Sequence, residues 1–284
     1  GVIVRAWMRV QRRPIFRSSA DVRFDRFEDG VAAARAIAQS RLYPANCRLL
    51  DPAEALLAGG DGKTTILVLG FESPDHPMER QLEQALEIVR LHSGRFSDSD
   101  VHHSTSASST DSGHTRSAAA ETWRTAFIRA PYGRDALVRS GFVTETFETA
   151  VTWDKFEELH RAVVESVQAA IEDVCGRGWL SCRFTHVYPD GPAPYYTVVA
   201  LGHKEPRSRI RQWNEIKAAA SEAILSKGGT ITHHHAVGRD HMEWYRRQIP
   251  RGFANALAAA KRALDPCAIL NPGVLVDLEE GNSR

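Results

Sequence analysis

The sequence predicts an α+β protein in which helices cover one face of a mainly antiparallel sheet. Three observations point there. Thr64 to Phe71 (TTILVLGF) is a run of β-branched and apolar residues of strand length. Trp179 to Tyr188 and Tyr195 to Leu201 are two more such runs, separated by Pro189-Asp190-Gly191-Pro192. That composition makes a tight turn, and a tight turn joins antiparallel strands. Segments with apolar spacing of three and four stand between the strands, so the order strand, helix, strand occurs twice.

Taken in order, Val2 to Val10 is β-rich and ends at Gln11-Arg12-Arg13-Pro14, which predicts a strand. Ile15 to Phe24 is a second strand. Glu28 to Gln39 is Ala-rich with Val31 and Ile37 inward, a helix. Asn46 to Asp51 is a short strand or turn. Asp51-Pro52 opens a brief helix, because proline suits the first helical turn. After the strand Thr64 to Phe71, Ser73-Pro74 leads into a helix with Met78, Leu82, Leu86 and Val89 on one face. Residues Ser93 to Ala118 carry almost no apolar side chains, so a flexible loop is expected over 93–118. Phe142 to Trp153 reads as a strand. From Trp153, the positions Phe156, Leu159, Val163, Val167, Ile171 and Val174 form a helical stripe, stopped by Gly176 and Gly178. Pro206 to Ser226 is a helix with Ile210, Trp213, Ile216 and Ala220 inward, and Phe253 to Leu264 is the last helix.

The chain has 284 residues with 43% hydrophobic residues, enough for a substantial core. A formal net charge of +1 argues against nucleic acid as a partner. The four cysteines, Cys47, Cys175, Cys182 and Cys267, form no CxxC pair, so a reducing cytoplasm is expected rather than a disulfide framework. No apolar run reaches membrane-spanning length and no signal peptide is evident. The start on Gly1, inside a strand-like pattern, suggests a fragment.

The chemically distinctive stretch is Gly228-Gly229-Thr230-Ile231-Thr232-His233-His234-His235. The glycines can end the preceding helix, and Thr230 to Thr232 reads as extended. In an extended chain His233 and His235 face one way and His234 the other, so no shared metal is expected. The rings would instead line a cleft, where imidazole gives or takes a proton near neutrality.

Several motifs together resemble the FAD-linked oxidases of the vanillyl-alcohol-oxidase type. The tail Asp265-Pro266-Cys267-Ala268-Ile269-Leu270-Asn271-Pro272-Gly273 is similar to that family's C-terminal end, and Gly1 to Val4 with Met8-Arg9-Val10 resembles its strand into the cap domain. Phe147-Glu148-Thr149-Ala150 before Trp153-Asp154, Pro131-Tyr132-Gly133-Arg134-Asp135, Arg48-Leu49-Leu50-Asp51 and the histidine triplet resemble the alkylglycerone-phosphate (alkyl-dihydroxyacetonephosphate) synthase branch. The resemblance implies a ferredoxin-like cap domain over residues 15–240. It implies that 1–14 are the last strand of an FAD-binding domain, and that 241–284 are a helix and tail returning to that domain. It also implies FAD used without net redox, while an acyl-dihydroxyacetone phosphate exchanges its acyl group for a fatty alcohol in ether lipid synthesis. By the same resemblance Tyr196 abstracts the proton beside the ketone, with Tyr195 as the adjacent alternative. Arg134 holds the substrate phosphate, Arg48 and Asn271 lie near the flavin, and His233, His234 and His235 polarise oxygens and move protons.

The chain lacks the Gly-rich turns that cradle a pyrophosphate, since Gly59-Gly60-Asp61-Gly62 precedes a strand and reads as a turn. A flavin domain is therefore expected in cis or in trans, and these residues alone are expected to be inactive. Peripheral membrane contact and a homodimer are further partner expectations. Two other readings stand beside this one: a flavin-linked 2-hydroxy-acid dehydrogenase of the D-lactate or glycolate type, and a cap-like binding module without catalysis.

Overall fold

The structure, a computed structural model, describes residues 2–57, 60–105 and 132–276. Its centre is a seven-stranded sheet in the order β4-β1-β3-β2-β6-β7-β5. Every named strand pair is antiparallel. The strands are β1 (Phe16–Phe24), β2 (Asn46–Leu50), β3 (Thr65–Ser73), β4 (Val101–Ser104), β5 (Phe142–Glu148), β6 (Gly178–Val187) and β7 (Pro192–Leu201). The helices are α1 (Phe27–Gln39), α2 (Pro52–Leu57), α3 (Glu79–Leu91), α4 (132–139), α5 (Trp153–Cys175), α6 (Pro206–Ser226), α7 (Met242–Gln248) and α8 (Arg251–Leu264).

The first half runs β1-α1-β2-β3-α3-β4 apart from the short α2, with β4-β1-β3-β2 as its part of the sheet. This is the ferredoxin-like order that the family resemblance implies. The second half repeats it as β5-α5-β6-β7-α6, with no fourth strand among the described residues. The halves meet through β2 and β6, where the ladder is a single pair, Leu50 with Arg183. Asp51 reinforces this seam. Its N–H donates to the Cys182 carbonyl at 3.0 Å, and its Oδ2 accepts from the Cys182 N–H at 2.6 Å. Its Oδ1 accepts from the Glu54 N–H at 2.6 Å, so the same carboxylate caps α2.

Helices α1, α3, α5 and α6 pack on one face. On α5, Trp153, Phe156, Leu159, Val163, Val167 and Ile171 are buried, as their spacing requires. Each such side chain contributes roughly 1.5–3 kcal/mol relative to exposure. The opposite face carries α2, where Leu50, Ala55, Ile66 and Val68 form a small separate cluster. Beyond that cluster this face of the sheet is open to the functional groups described below.

Four expectations are corrected. Residues 2–10 form no strand, and Val2, Ile3, Val4, Trp7, Met8 and Val10 are all exposed; no strand of the described residues lies beside them to complete a ladder. The expected loop at 93–118 begins with order: β4 pairs with the edge of β1, and His103 Nδ1 lies 2.9 Å from Ser18 Oγ. An edge strand satisfies its backbone through one neighbour and does not need apolar side chains. The part of that call beyond residue 105 lies outside the described residues. Strand β5 ends at Glu148 rather than Trp153. Ile210 is exposed, so the inward stripe of α6 runs through Ile216, Ala220 and Ile224 instead.

Candidate functional site

The site forms where the second half has no fourth strand among the described residues. After α6 the chain turns at Gly228, which has φ of 74°. It then runs alongside the end of β5, with Thr230 N–H donating to the Ala150 carbonyl and His233 N–H to the Glu148 carbonyl, both at 3.0 Å. The Thr149 hydroxyl donates to the Thr230 carbonyl at 2.6 Å. Gly229 is required here, because a Cβ would lie 2.5 Å from Leu159 and 2.8 Å from Thr149 Oγ1. The histidines are thus delivered to the open face at the Glu148 end of β5.

They do not alternate. His234 has φ of 58°, which breaks the extended pattern and brings the rings together around Glu148. His233 Nδ1 is 3.2 Å from Glu148 Oε1, and His235 Nε2 is 4.0 Å from Oε2. From β6, His186 Nδ1 lies 3.7 Å from Oε1. A β-bulge between Phe184 and His186 turns this residue toward the cluster. The expectation that the rings point apart is therefore overturned. Glu148, His186, His233 and His234 each bring one potential ligand atom within 4.8 Å of the others. However, the His233 and His234 rings stack with centroids 4.1 Å apart and only 20° between planes. Lone pairs of stacked rings lie in separate parallel planes, a geometry suited to hydrogen bonding rather than to one shared ion.

The two tyrosines of β7 part company. Tyr196 is fully buried among the helices, stacked on Phe147 at 4.9 Å, with its hydroxyl 3.0 Å from His160 Nδ1 on α5. Burial, with Cys182 beside it, pushes its phenol well above its ordinary range. Burial likewise pushes His160 down to about 4. The structure thus places Tyr196 in the core, away from the histidines. Tyr195 takes the open face: Glu148 is its cross-strand partner on β5, and Arg183 its partner on β6. The His235 ring meets its edge at 5.4 Å, and the Arg183 guanidinium lies 3.9 Å over its ring. Arg183 is in turn ion-paired with Glu54, whose other oxygen accepts from the Ser181 hydroxyl at 2.7 Å.

Arg48 lies on the same face, and burial with the Arg183 charge lowers it to about 10. Burial raises Glu148 to about 7, against the nearby charges of His234 and Arg183. Burial lowers His233 and His235, and it lowers His186 together with the neighbouring histidines and Arg48. Arg134 is exposed on α4, which leads into the Phe142 end of β5. Six strand steps, roughly 20 Å, separate that end from Glu148. Asn271 is exposed with φ of 49°, in a tail tied to α8 by Asp265, which accepts from the Ile269 and Leu270 N–H groups at 3.0 and 2.9 Å.

Site residues not singled out from the sequence are Glu148, Arg183, His186 and Tyr188. The signal for Glu148 was positional: it stands one residue beyond the core-facing Phe147.

A family profile described as FAD linked oxidases, C-terminal domain, matches residues 13–275. The chain belongs to that family. FAD is the family's cofactor. Among curated relatives, alkyldihydroxyacetonephosphate synthase of Dictyostelium discoideum is 24% identical over all of this chain and 48% of its own length. The Caenorhabditis elegans synthase is 26% identical over 98% of this chain and 48% of its own length. That of Trypanosoma brucei brucei is 31% identical over 55% of this chain and 25% of its own length. The chain therefore spans about half or less of the synthases it matches. In fold, a solved alkyldihydroxyacetonephosphate synthase superimposes with a TM-score of 0.64 at 19% identity, over 92% of this chain and 44% of that one. A p-cresol methylhydroxylase superimposes with a TM-score of 0.56 at 14% identity, over 94% of this chain and 54% of that one.

The open face fits one side of such a cofactor. Arg183 Nε is buried there without a hydrogen-bond partner among the described residues, and a buried polar group of this kind leaves a donor for a ligand.

Proposed function

We propose that this chain is the substrate-side portion of an FAD-dependent enzyme of the alkylglycerone-phosphate synthase kind, which exchanges the acyl group of an acyl-dihydroxyacetone phosphate for a fatty alcohol. The observation that carries the reading is the convergence of the histidine triplet with Glu148 and Tyr195 on one face, in a chain whose full-length relatives are named as such synthases.

Bound FAD would supply an electrophilic ring system against Arg48, Arg183, Tyr195 and the histidines, while its pyrophosphate would be held by a separate domain in cis or in trans. Tyr195 takes the proton from the carbon beside the ketone as its own hydroxyl proton passes to the histidine cluster. Arg183 fixes the phenol from above, and His235 from its edge. The histidine cluster with Glu148 protonates the departing carboxylate and deprotonates the incoming alcohol. The substrate phosphate meets either Arg134 or the pair Arg48 and Arg183. The pair is favoured because it adjoins Tyr195, and two guanidiniums suit the oxygens of one phosphate. The exposed apolar stretch at 2–10 and the C-terminal tail are the surfaces that meet the flavin domain. Peripheral membrane contact, self-association and a cytoplasmic setting belong to the same reading; no described helix is long and apolar enough to cross a membrane.

One finding favours a second reading, a flavin-linked 2-hydroxy-acid oxidase: the glycolate oxidase subunit GlcD of Bacillus subtilis is 30% identical over 40% of this chain. Supplying the chain with a flavin-binding domain and comparing ether product formation with flavin bleaching by glycolate or D-lactate separates the two. In the same assay Arg134→Lys and Arg48→Lys identify the phosphate anchor as the variant with the larger rise in KM.

A further inference from the structure

We propose that Glu148 is the positioning residue of the histidine cluster and forms a proton relay with His233 and Tyr188. In this relay Glu148 holds the hydrogen on His233 Nδ1, and the Nε2 lone pair faces the Tyr188 hydroxyl at the mouth of the site. The inference rests on reading this face as the reacting site, but its test requires no turnover.

The contacts form a line from surface to interior. Tyr188 Oη is 3.4 Å from His233 Nε2, and His233 Nδ1 is 3.2 Å from Glu148 Oε1. Exposure falls along it: 38% for Tyr188, 18% for the His233 side chain and 3% for that of Glu148. Each member is held independently. The His233 N–H donates to the Glu148 carbonyl at 3.0 Å, so backbone and side chain tie the same two residues. Tyr188 is set by its own N–H donating to the Gly191 carbonyl at 2.9 Å, and by Trp153 Nε1 donating to the Tyr188 carbonyl at 3.0 Å.

The charged and titratable groups around Glu148 are His186 and Arg183 from β6, Tyr195 from β7, and His234 and His235 from the histidine loop, while the charge of Arg48 from β2 acts on His186. Burial raises Glu148 to about 7 and lowers His233, so the order of their ordinary proton affinities, histidine above carboxylate, is no longer imposed at this contact. Two titratable groups in direct contact at 3.2 Å titrate as a coupled pair, and the contact is the path along which a proton passes between them. In one transfer, the Tyr188 oxygen gains a proton from a group in the cleft while its own O–H proton goes to His233 Nε2. The Nδ1 proton then goes to Glu148 Oε1. One proton enters, one is stored on the carboxyl, and no electrons are exchanged.

The test is long-range 1H–15N correlation NMR of the histidine rings in this chain, with His233 assigned by its loss in His233→Gln. At about pH 8, above the carboxyl's step near 7, the expected tautomer of His233 carries hydrogen on Nδ1 and a bare Nε2. Lowering the pH through that step should protonate Nε2. Glu148→Gln should leave half or more of His233 with its hydrogen on Nε2 and lower its proton affinity at least tenfold, and Glu148→Asp should restore much of the original state. Tyr188→Phe should leave the Nδ1 hydrogen in place. A wild-type His233 with its hydrogen on Nε2 overturns the proposal without any variant, as does an unchanged tautomer in Glu148→Gln. Failure of the alkyl-exchange reading would leave these ring states unaltered, so the two can fail separately.

Discussion

Replacing each tyrosine of β7 in turn by phenylalanine separates structure from chemistry at adjacent positions. Tyr196→Phe removes a hydroxyl 3.0 Å from His160 Nδ1, inside a core where both groups are buried. The ring, stacked on Phe147, keeps its packing. The loss is one buried hydrogen bond plus the stranding of the His160 nitrogen, about 1–2 kcal/mol. Tyr195→Phe keeps the ring under Arg183 and against His235, and its hydroxyl lies on the half-exposed open face. Its effect on stability should stay within about 0.5 kcal/mol. Urea unfolding followed by circular dichroism measures both, with the slope of each transition confirming that the folded states are equally compact. For a chain of this size the Tyr196 variant should melt roughly 2–8 °C lower. In a flavin-supplied enzyme the ranking reverses, with Tyr195→Phe abolishing turnover and Tyr196→Phe retaining it. If Tyr195→Phe is the more destabilised, or if Tyr196→Phe alone abolishes turnover, the assignment of faces along β7 is wrong.

Three further outcomes follow from the packing and the buried charges. Glu145 and Lys217 are an ion pair at 2.9 Å with side chains 6% and 8% exposed; Lys217→Met should cost about 3–5 kcal/mol by leaving the carboxylate unpaired, and Glu145→Gln combined with it should recover much of that loss in denaturant titrations. Gly191→Ala should fail to fold stably at 37 °C, because a Cβ there would lie 1.9 Å from the Val151 carbonyl oxygen, and backbone cannot retreat as a side-chain tip can. His160, lowered to about 4 from 6.5, binds its proton more readily in the unfolded chain, so stability is lost as pH falls from about 6.5 toward 4. Its share is about 3 kcal/mol. Asp51 and Glu148, raised to about 6 and about 7, act with opposite sign and favour the fold as pH falls. The difference between wild type and His160→Phe isolates the histidine and should shrink by that amount between neutral pH and pH 4, whereas a constant difference would contradict it.

The elements legible in the sequence were those whose burial imposes a period. The stripe of α5 and the Pro-Asp-Gly-Pro turn follow from local chemistry alone. Strand β4 was not legible, because it is an edge strand whose order comes from backbone pairing with β1 and whose side chains beyond Val101 are polar. Residues 2–10 misled in the opposite direction: β-rich composition cannot make a strand without a neighbour. At the site, the histidine triplet was conspicuous, but its convergence depends on the left-handed backbone of His234 and on the bulge before His186, neither of which composition announces. The choice between Tyr195 and Tyr196 had no decisive local signal: Val198 and Ala200 share the parity of Tyr196, but Val199 and Leu201 share that of Tyr195, so both rows are largely apolar and burial in the fold separates them. Glu148 was hidden for another reason: a single carboxylate next to Phe147 becomes a hub only when β5, β6 and the histidine loop meet in three dimensions.

The central claim is that this face serves alkyl exchange rather than net oxidation. The chain, together with a flavin-binding domain, should be mixed anaerobically with an acyl-dihydroxyacetone phosphate and a long-chain alcohol while ether product and flavin absorbance are recorded together. The account predicts ether formation at constant total substrate oxidation state, with no accumulation of reduced flavin and with loss of product in Tyr195→Phe. Stoichiometric flavin bleaching by a 2-hydroxy acid, with no ether formed, would contradict it.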